Sequence, residues 1–336
     1  MENREIPSRD QLRRFPYSFL EDQLHWPRTN DYEDSLEFVM LPLPHFDYSR
    51  PRNVKEAIHA LSRGKRGTRV LAGGTDLLVQ MKKGLVRPRL LVDIKHIRHI
   101  SRISCKSKGE LVLGAGVTLT DLEQWAKKRK DWSGLSMASG SIGSEQVRNR
   151  ATVVGNLCRA SPAGDMAPML IALDGSVGIS GPEGKRFVLV ENFMTGPGKT
   201  VLTQGEMVIS VRIPKIANSG AIYLRHGPRR AMDIAVIGVA VRLSLDETLK
   251  RIVCARIVLG AVAPIPMRVP EAEMILVESG VNLLTLQEVS NLAAARARPI
   301  TDLRGTRSYR LEMVKVMTRR AVKQAWKQLK KKEVDR

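Results

Sequence analysis

The spacing of hydrophobic and polar positions changes several times along the chain, and each change predicts an element. Val54, Ala57, Ile58 and Leu61 recur at helical spacing, with Asn53 placed as an N-cap and Gly64 closing the segment. Arg69–Ala72 reads as a short strand broken by Gly73 and Gly74. Thr75 then caps a helix running through Lys82 and stopped at Gly84. Leu90, Leu91, Val92 and Ile94 make Arg89–Ile94 a buried strand. Strand, Gly-Gly turn, helix and strand form a small α/β unit.

Further on, Glu110–Gly116 predicts a strand, and Thr120-Asp-Leu-Glu123 a capping box opening a helix that continues through Lys130. Met137–Val147 is small and polar. Ala151–Pro168 shows little period and is rich in Gly, Asn, Ser and Pro, as where backbone packs close to something. Strands are expected at Ser176–Ile179, Arg186–Val190 and Met207–Ile213. A second unit starts near Ser219, with strands at Ala221–Leu224, Ile234–Leu243 and Ile252–Leu259. Helices at Leu283–Ala297 and Tyr309–Leu329 pack on one face of them. The first 40 residues contain Pro7, Pro16 and Pro27 and no sustained period, so they read as an extension. Met40–Tyr48 is an extended, Pro-punctuated stretch, and Met40 is itself a candidate start.

Charge changes the picture. The 336 residues carry 55 Lys or Arg against 34 Asp or Glu, a formal net charge of +21. Residues 1–40 hold nine acids and five Arg, a net of −4, which leaves +25 on the remainder. An anionic partner is therefore expected, with Lys82–Arg102 and Arg319–Lys332 as the densest basic stretches. Solvated helix faces and a frayed tail are the plainer reading of both. Aromatics are only 4%, which disfavours base-stacking surfaces, and no nucleic-acid motif appears. No apolar run reaches membrane-spanning length, the best being Ile234–Val241. Cys105, Cys158 and Cys254 are too few and too scattered for a disulfide set or a metal pair, which with the lack of a signal segment implies the cytoplasm.

Two loops carry candidate chemistry. In Leu71-Ala-Gly-Gly-Thr-Asp-Leu-Leu78, paired glycines after a strand expose N–H groups for an anion, or simply make a tight strand-to-helix turn. Thr152-Val-Val-Gly-Asn156 offers a second set, and Asp165 nine residues on is a carboxylate able to accept hydroxyls from a ribose, or a helix cap. Together they suggest a nucleotide bearing a diphosphate. Gly196-Pro-Gly-Lys-Thr200 only imitates a P-loop, since Phe193 stands where the first Gly belongs. His45, Asp93, His96 and His99 lack metal spacing and read, with Lys95 and Arg98, as a solvated basic face.

These residues bring a family into view. Ala72-Gly-Gly-Thr-Asp-Leu-Leu78 with Met81-Lys82, then Ala151-Thr-x-x-Gly-Asn-Leu-Cys-x-Ala-Ser-Pro-x-x-Asp165, resembles the flavoprotein (medium) subunit of molybdenum hydroxylases, a group including aerobic carbon monoxide dehydrogenase and the flavin part of xanthine dehydrogenase. Phe46-Asp-Tyr48, Gly196–Thr200, Gly205-Glu206, Arg229–Ala235 and Asp302-Leu-Arg-Gly305 agree in order, and the likeness covers about residues 40–325. It implies an α+β fold: a PCMH-type FAD-binding domain of two α/β subdomains over 40–215, then a carbon monoxide dehydrogenase flavoprotein-like domain over 216–329. The latter would be a three-stranded sheet with a helical layer, and 1–39 and 330–336 a poorly ordered extension and a basic tail.

The resemblance also implies site residues. Leu71, Ala72, Gly73, Gly74, Thr75, Asp76, Leu77 and Leu78, with Thr152, Val153, Val154, Gly155 and Asn156, would hold the FAD pyrophosphate. Asp165 would meet the adenosine side, Val208 would give a backbone or apolar contact, and Arg225 stands where the family usually has Lys. Val154 occupies a place that is commonly Gly, so it must accept a negative φ. Molybdopterin and iron–sulfur clusters would sit only on partners, a large molybdopterin subunit and a small iron–sulfur subunit in a dimer of heterotrimers. No acid–base residue and no metal ligand is expected in this chain. A free-standing flavin oxidoreductase and a basic nucleic-acid-binding module are the alternatives.

Overall fold

The computed structural model describes residues 43–64, 67–229 and 231–334. Residues 1–39 and the Met40–Pro42 part of the extended stretch lie outside the described residues. Within the rest, the strands form three main sheets and a small hairpin, and the apolar side chains gather into two cores.

The first sheet is parallel, with β1 (Asp47–Ser49) and β2 (Thr68–Leu71) flanking a central β3 (Leu90–Asp93). Crossovers between parallel strands need a helix, and α1 (Val54–Arg63) and α2 (Leu77–Lys82) supply them. The Asn53 side chain accepts from the Glu56 N–H at 3.0 Å, so α1 starts where local spacing put it. Thr75, in contrast, does not cap α2. The N-cap position is Asp76, which makes no side-chain cap bond. Its carboxylate goes instead to Gln80 and, at 2.5 Å, to Arg159.

The second sheet is antiparallel in the order β4 (Ile103–Cys105), β5 (Leu111–Gly114), β10 (Met207–Ile213), β6 (Ser176–Gly181) and β7 (Gly184–Leu189). Between β7 and β10, Gly196–Thr200 spans a hairpin of β8 (Met194–Gly196) and β9 (Lys199–Thr200), with Gly198 at φ +69°. Five helices separate β5 from β6: α3 (Leu119–Lys127), α4 (Ser133–Gly140), α5 (Glu145–Arg148), α6 (Val153–Arg159) and α7 (Met166–Ala172). The capping box sits two residues earlier than expected. Thr118, bridged to Thr152 in extended conformation, accepts from the Asp121 N–H, while Glu123 pairs with Arg148 at 3.1 Å. The stretch expected to lack pattern holds α6 and the start of α7.

The third sheet runs β11 (Ser219–His226), β12 (Ile237–Leu245), β13 (Ile252–Gly260) and the two-residue β14 (Met267–Arg268), so it has one strand more than expected. Alternation sorts its faces. Ile222, Val239, Val241, Ile257 and Leu259 join the core beneath α8 (Pro270–Ser279), α9 (Leu283–Arg296) and α10 (Arg307–Val334), whereas Ala221, Tyr223, Ala240 and Val258 join the other core, which includes α7. β12 is buried along its whole length, which explains the Ile237–Val241 part of the apolar run; the strand starts three residues later than expected, and Ile234 ahead of it is half-exposed. α8 went unforeseen, and α10 continues past Leu329 to Val334.

Candidate functional site

The two glycine-bearing loops meet. A Cβ on Gly73 would lie 2.0 Å from the Arg150 carbonyl oxygen and 3.0 Å from Ala151 Cα, so only glycine lets the strand end pass this close to the second loop. The second loop is pinned from behind, because Leu119 N–H donates to Ala151 O at 2.9 Å and Val153 N–H to Val117 O at 3.1 Å. A further tie is the Asp76–Arg159 ion pair, which joins the start of α2 to the end of α6.

Next to this contact the backbone presents donors. The N–H groups of Gly73, Gly74, Thr75 and Asp76 make no hydrogen bond to another described residue. Gly74 takes φ +76°, which turns the chain sharply between Leu71 and Leu78. At the head of α6, Thr152 Oγ1 accepts from the Gly155 N–H at 2.9 Å, and Val154 keeps the open N–H that a helix start leaves. Val154 is helical, so the negative φ required there is met. Val153 and Val154 are buried, and Asn156 turns its side chain toward α7, where Oδ1 accepts from the Met166 N–H at 3.4 Å.

Cations stand around the same place. Lys95 Nζ reaches Ala72 O at 3.2 Å and Asp93 at 2.7 Å. Asp93 is not part of a solvated face, as its neighbours in sequence suggested. It is 1% exposed and also accepts from the Tyr48 hydroxyl. Burial alone would push the Asp93 carboxyl up, but hydrogen bonds from Lys95 and Tyr48 outweigh it and hold it below its ordinary value. The Arg150 side chain is exposed and has no carboxylate partner among the described residues. Sequence reasoning missed Lys95, Arg150 and Arg159; the two arginines flank the second loop in the chain, and the fold brings Lys95 to the first.

Asp165 lies deeper, just before α7. Its Oδ1 accepts from the Tyr223 hydroxyl at 2.7 Å and lies 3.4 Å from Arg225 Nε. Burial pushes its carboxyl up to about 6, while Tyr223 and the charge of Arg225 pull the other way. Arg225 also donates to Asp233 O, yet its buried Nε has no hydrogen-bond partner. Val208 is buried in β10, next to a break in the ladder register, and joins the core that includes α6 and α7 residues. A shallow depression along α9, lined by Leu284, Gln287, Glu288 and Leu292, belongs to the helical layer on the opposite face of the third sheet. No cluster among the described residues could hold a metal ion.

Comparison with known proteins decides the family. Residues 44–216 match the family described as the FAD binding domain in molybdopterin dehydrogenase, and residues 222–325 match the carbon monoxide dehydrogenase flavoprotein C-terminal domain. The chain belongs to this molybdopterin dehydrogenase flavoprotein family. It is 31% identical over 280 residues to a xanthine dehydrogenase FAD-binding subunit of Escherichia coli O157:H7, covering 83% of this flavoprotein and 95% of the relative. It is 30% identical over 288 residues to the carbon monoxide dehydrogenase medium chain of Hydrogenophaga pseudoflava, covering 85% and 99%. A solved carbon monoxide dehydrogenase from that organism superimposes with a TM-score of 0.81 at 30% identity, over 85% of this flavoprotein and 99% of that chain. The chain is thus an FAD-binding subunit of the molybdenum hydroxylase type. No helix among its described residues is long and apolar enough to cross a membrane.

Proposed function

We propose that this flavoprotein is the electron-transfer subunit of a heteromeric, cytoplasmic molybdenum hydroxylase. It would work beside a large molybdopterin subunit and a small iron–sulfur subunit, in a dimer of heterotrimers. Bound FAD supplies the redox chemistry, taking electrons from iron–sulfur clusters and passing them to an external acceptor. The protein's part is to bind, orient and tune.

The observation that carries this reading is the meeting of the two loops. Leu71–Leu78 and Thr152–Asn156 present open N–H groups beside a backbone contact that only Gly73 permits. Such clustered amides suit a diphosphate, and Arg150 adds positive charge to offset it, whereas Lys95 and Arg159 are balanced by Asp93 and Asp76. Asp165 and Arg225 would serve the adenosine side: with Oδ1 held by the Tyr223 hydroxyl and 3.4 Å from Arg225 Nε, the Asp165 Oδ2 is left as an acceptor for a hydroxylated ligand. Asp76 is spoken for by Gln80 and Arg159, so its contribution would be its backbone. The division at residues 215/216 would fall between β10 and β11, with one face of the third sheet packing into the first core through Ala221, Tyr223, Ala240 and Val258.

A free-standing oxidoreductase would be reduced by its own substrate. The subunit reading predicts instead that the FAD-loaded chain is reduced anaerobically by the reduced iron–sulfur subunit that co-purifies with it. Failure of that transfer, with FAD bound, would remove the electron-transfer role.

A further inference from the structure

Tyr223 and Arg225 are two residues apart on β11 and so share a face, the one that meets Asp165. Tyr223 is 4% exposed and Asp165 7%. The phenol reaches the carboxylate because position 238 is glycine. A Cβ there would lie 2.4 Å from the Tyr223 hydroxyl oxygen and 3.2 Å from the ring carbon that bears it. Gly238 sits opposite Arg225 in the β11–β12 ladder, so one ladder position makes room for the tyrosine diagonal to it. Asp165 Oδ1 is engaged by Tyr223 and Arg225, and Oδ2 has no partner among the described residues.

We propose that Tyr223 is a positioning residue of the cofactor site: it orients the Asp165 carboxylate toward FAD, and the pair sets how FAD binding depends on pH. This rests on the reading above that Asp165 faces the adenosine side. Fixing Oδ1 leaves Oδ2 as the single open acceptor, which an ionised carboxylate offers to a hydroxyl and a protonated one does not. Burial pushes Asp165 up to about 6, and the Tyr223 hydrogen bond is the foremost opposing influence, ahead of the charge of Arg225. The titratable groups facing Asp165 are Tyr223 and Arg225 from β11. Asp233 stands behind Arg225, and α6 contributes the uncharged Asn156. A tie that only glued α7 to the third sheet would affect stability and leave the pH dependence of FAD affinity unmoved.

The test is FAD affinity of the full chain, read by flavin fluorescence at pH values on either side of 6, with melting temperature as the fold check. Wild-type affinity should fall as the pH drops through about 6. Tyr223→Phe should bind about tenfold more weakly at neutral pH, the fold-change of one charge-assisted hydrogen bond, with its fall displaced upward by about one pH unit. Gly238→Ala, which displaces the phenol without removing it, should move the fall the same way and guards against a Phe variant that fails to fold. Asp165→Asn should abolish the fall. A Tyr223→Phe midpoint equal to wild type, or a fall retained in Asp165→Asn, overturns the proposal. A wild type that binds no FAD at any pH overturns the functional reading, and this link with it.

Discussion

Gly73→Ala puts the meeting of the two loops to the test. The added methyl would sit 2.0 Å from Arg150 O, 2.7 Å from Arg150 C and 3.0 Å from Ala151 Cα, all backbone atoms with no side-chain freedom to yield. Ordinary contact needs about 3.5 Å, so the loops must part by about 1.5 Å. Neither side gives easily, since β2 is paired to β3 and residues 151–153 are bonded to Leu119 and Val117. Overpacking of this kind costs about 1–3 kcal/mol. The lower entropy of an unfolded Ala opposes it by only about 0.4–1 kcal/mol. If the net cost, about 0.6–2 kcal/mol, falls on the arrangement that binds FAD, affinity drops by roughly 3- to 30-fold. The measurement is an FAD titration with a thermal melt in parallel. Gly196→Ala is the control, because its methyl would find nothing nearer than Lys199 Cδ at 3.9 Å. A Gly73→Ala chain with wild-type FAD affinity and melting temperature would show that the loops do not meet as described.

Other outcomes follow from the same geometry. Glu206 accepts from Arg186 at 2.7 and 2.8 Å and from the Thr203 N–H, and the Arg186 hydrogen bonds foremost hold its carboxyl at about 2. A depressed carboxyl stabilises the fold above its unfolded value near 4.5 and loses that contribution as pH falls through about 2. Glu206→Gln should therefore lose about 1 kcal/mol at neutral pH, discounted because Arg186 is 40% exposed, and denaturation curves for the two chains should converge in acid. Glu273, 5% exposed, accepts from Arg268 at 2.6 and 3.2 Å and from the Ile257 N–H at 3.0 Å; Glu273→Ala should destabilise the fold by about 3–5 kcal/mol in urea titrations. Lys82, Lys83, Arg87 and Arg89 are exposed and lack acidic partners among the described residues, beside the half-exposed Val79 and the largely exposed Leu85. Changing all four to Gln should slow association with the proposed partner subunits at low salt and flatten its salt dependence, with a stopped-flow rate that ignores both changes refuting a steering role.

The elements legible in the sequence were those whose causes are local. Asn53 and the spacing of Val54, Ala57 and Leu61 place α1 correctly, and the apolar run before Leu243 becomes a strand buried on both faces. α6 escaped because Gly155 and Asn156 are weak helix formers. The helix exists because Thr152 caps it and because Val117 and Leu119 hold its entry. α8 offered a start signal that was passed over, with Pro270 at its first turn and Glu271 and Glu273 beside it. Choosing between Thr118 and Thr120 as the cap needed the Thr118–Thr152 bridge, a contact 34 residues away in sequence. The burial of Asp93 was likewise hidden, since Tyr48 reaches it across 45 residues. Of the candidate site, the glycine loops and Asp165 were visible as motifs. Tyr223 was readable only through parity, as the residue that shares a strand face with Arg225.

The most direct test of the central claim is the flavin itself. The purified full-length chain should be yellow, and denaturation should release FAD in a one-to-one ratio with protein. A chain stripped of flavin should take up FAD and not FMN, because the proposed Asp165–Arg225 contacts need the adenosine half. A colourless chain that binds neither cofactor, or one that binds FMN as tightly as FAD, would contradict the account.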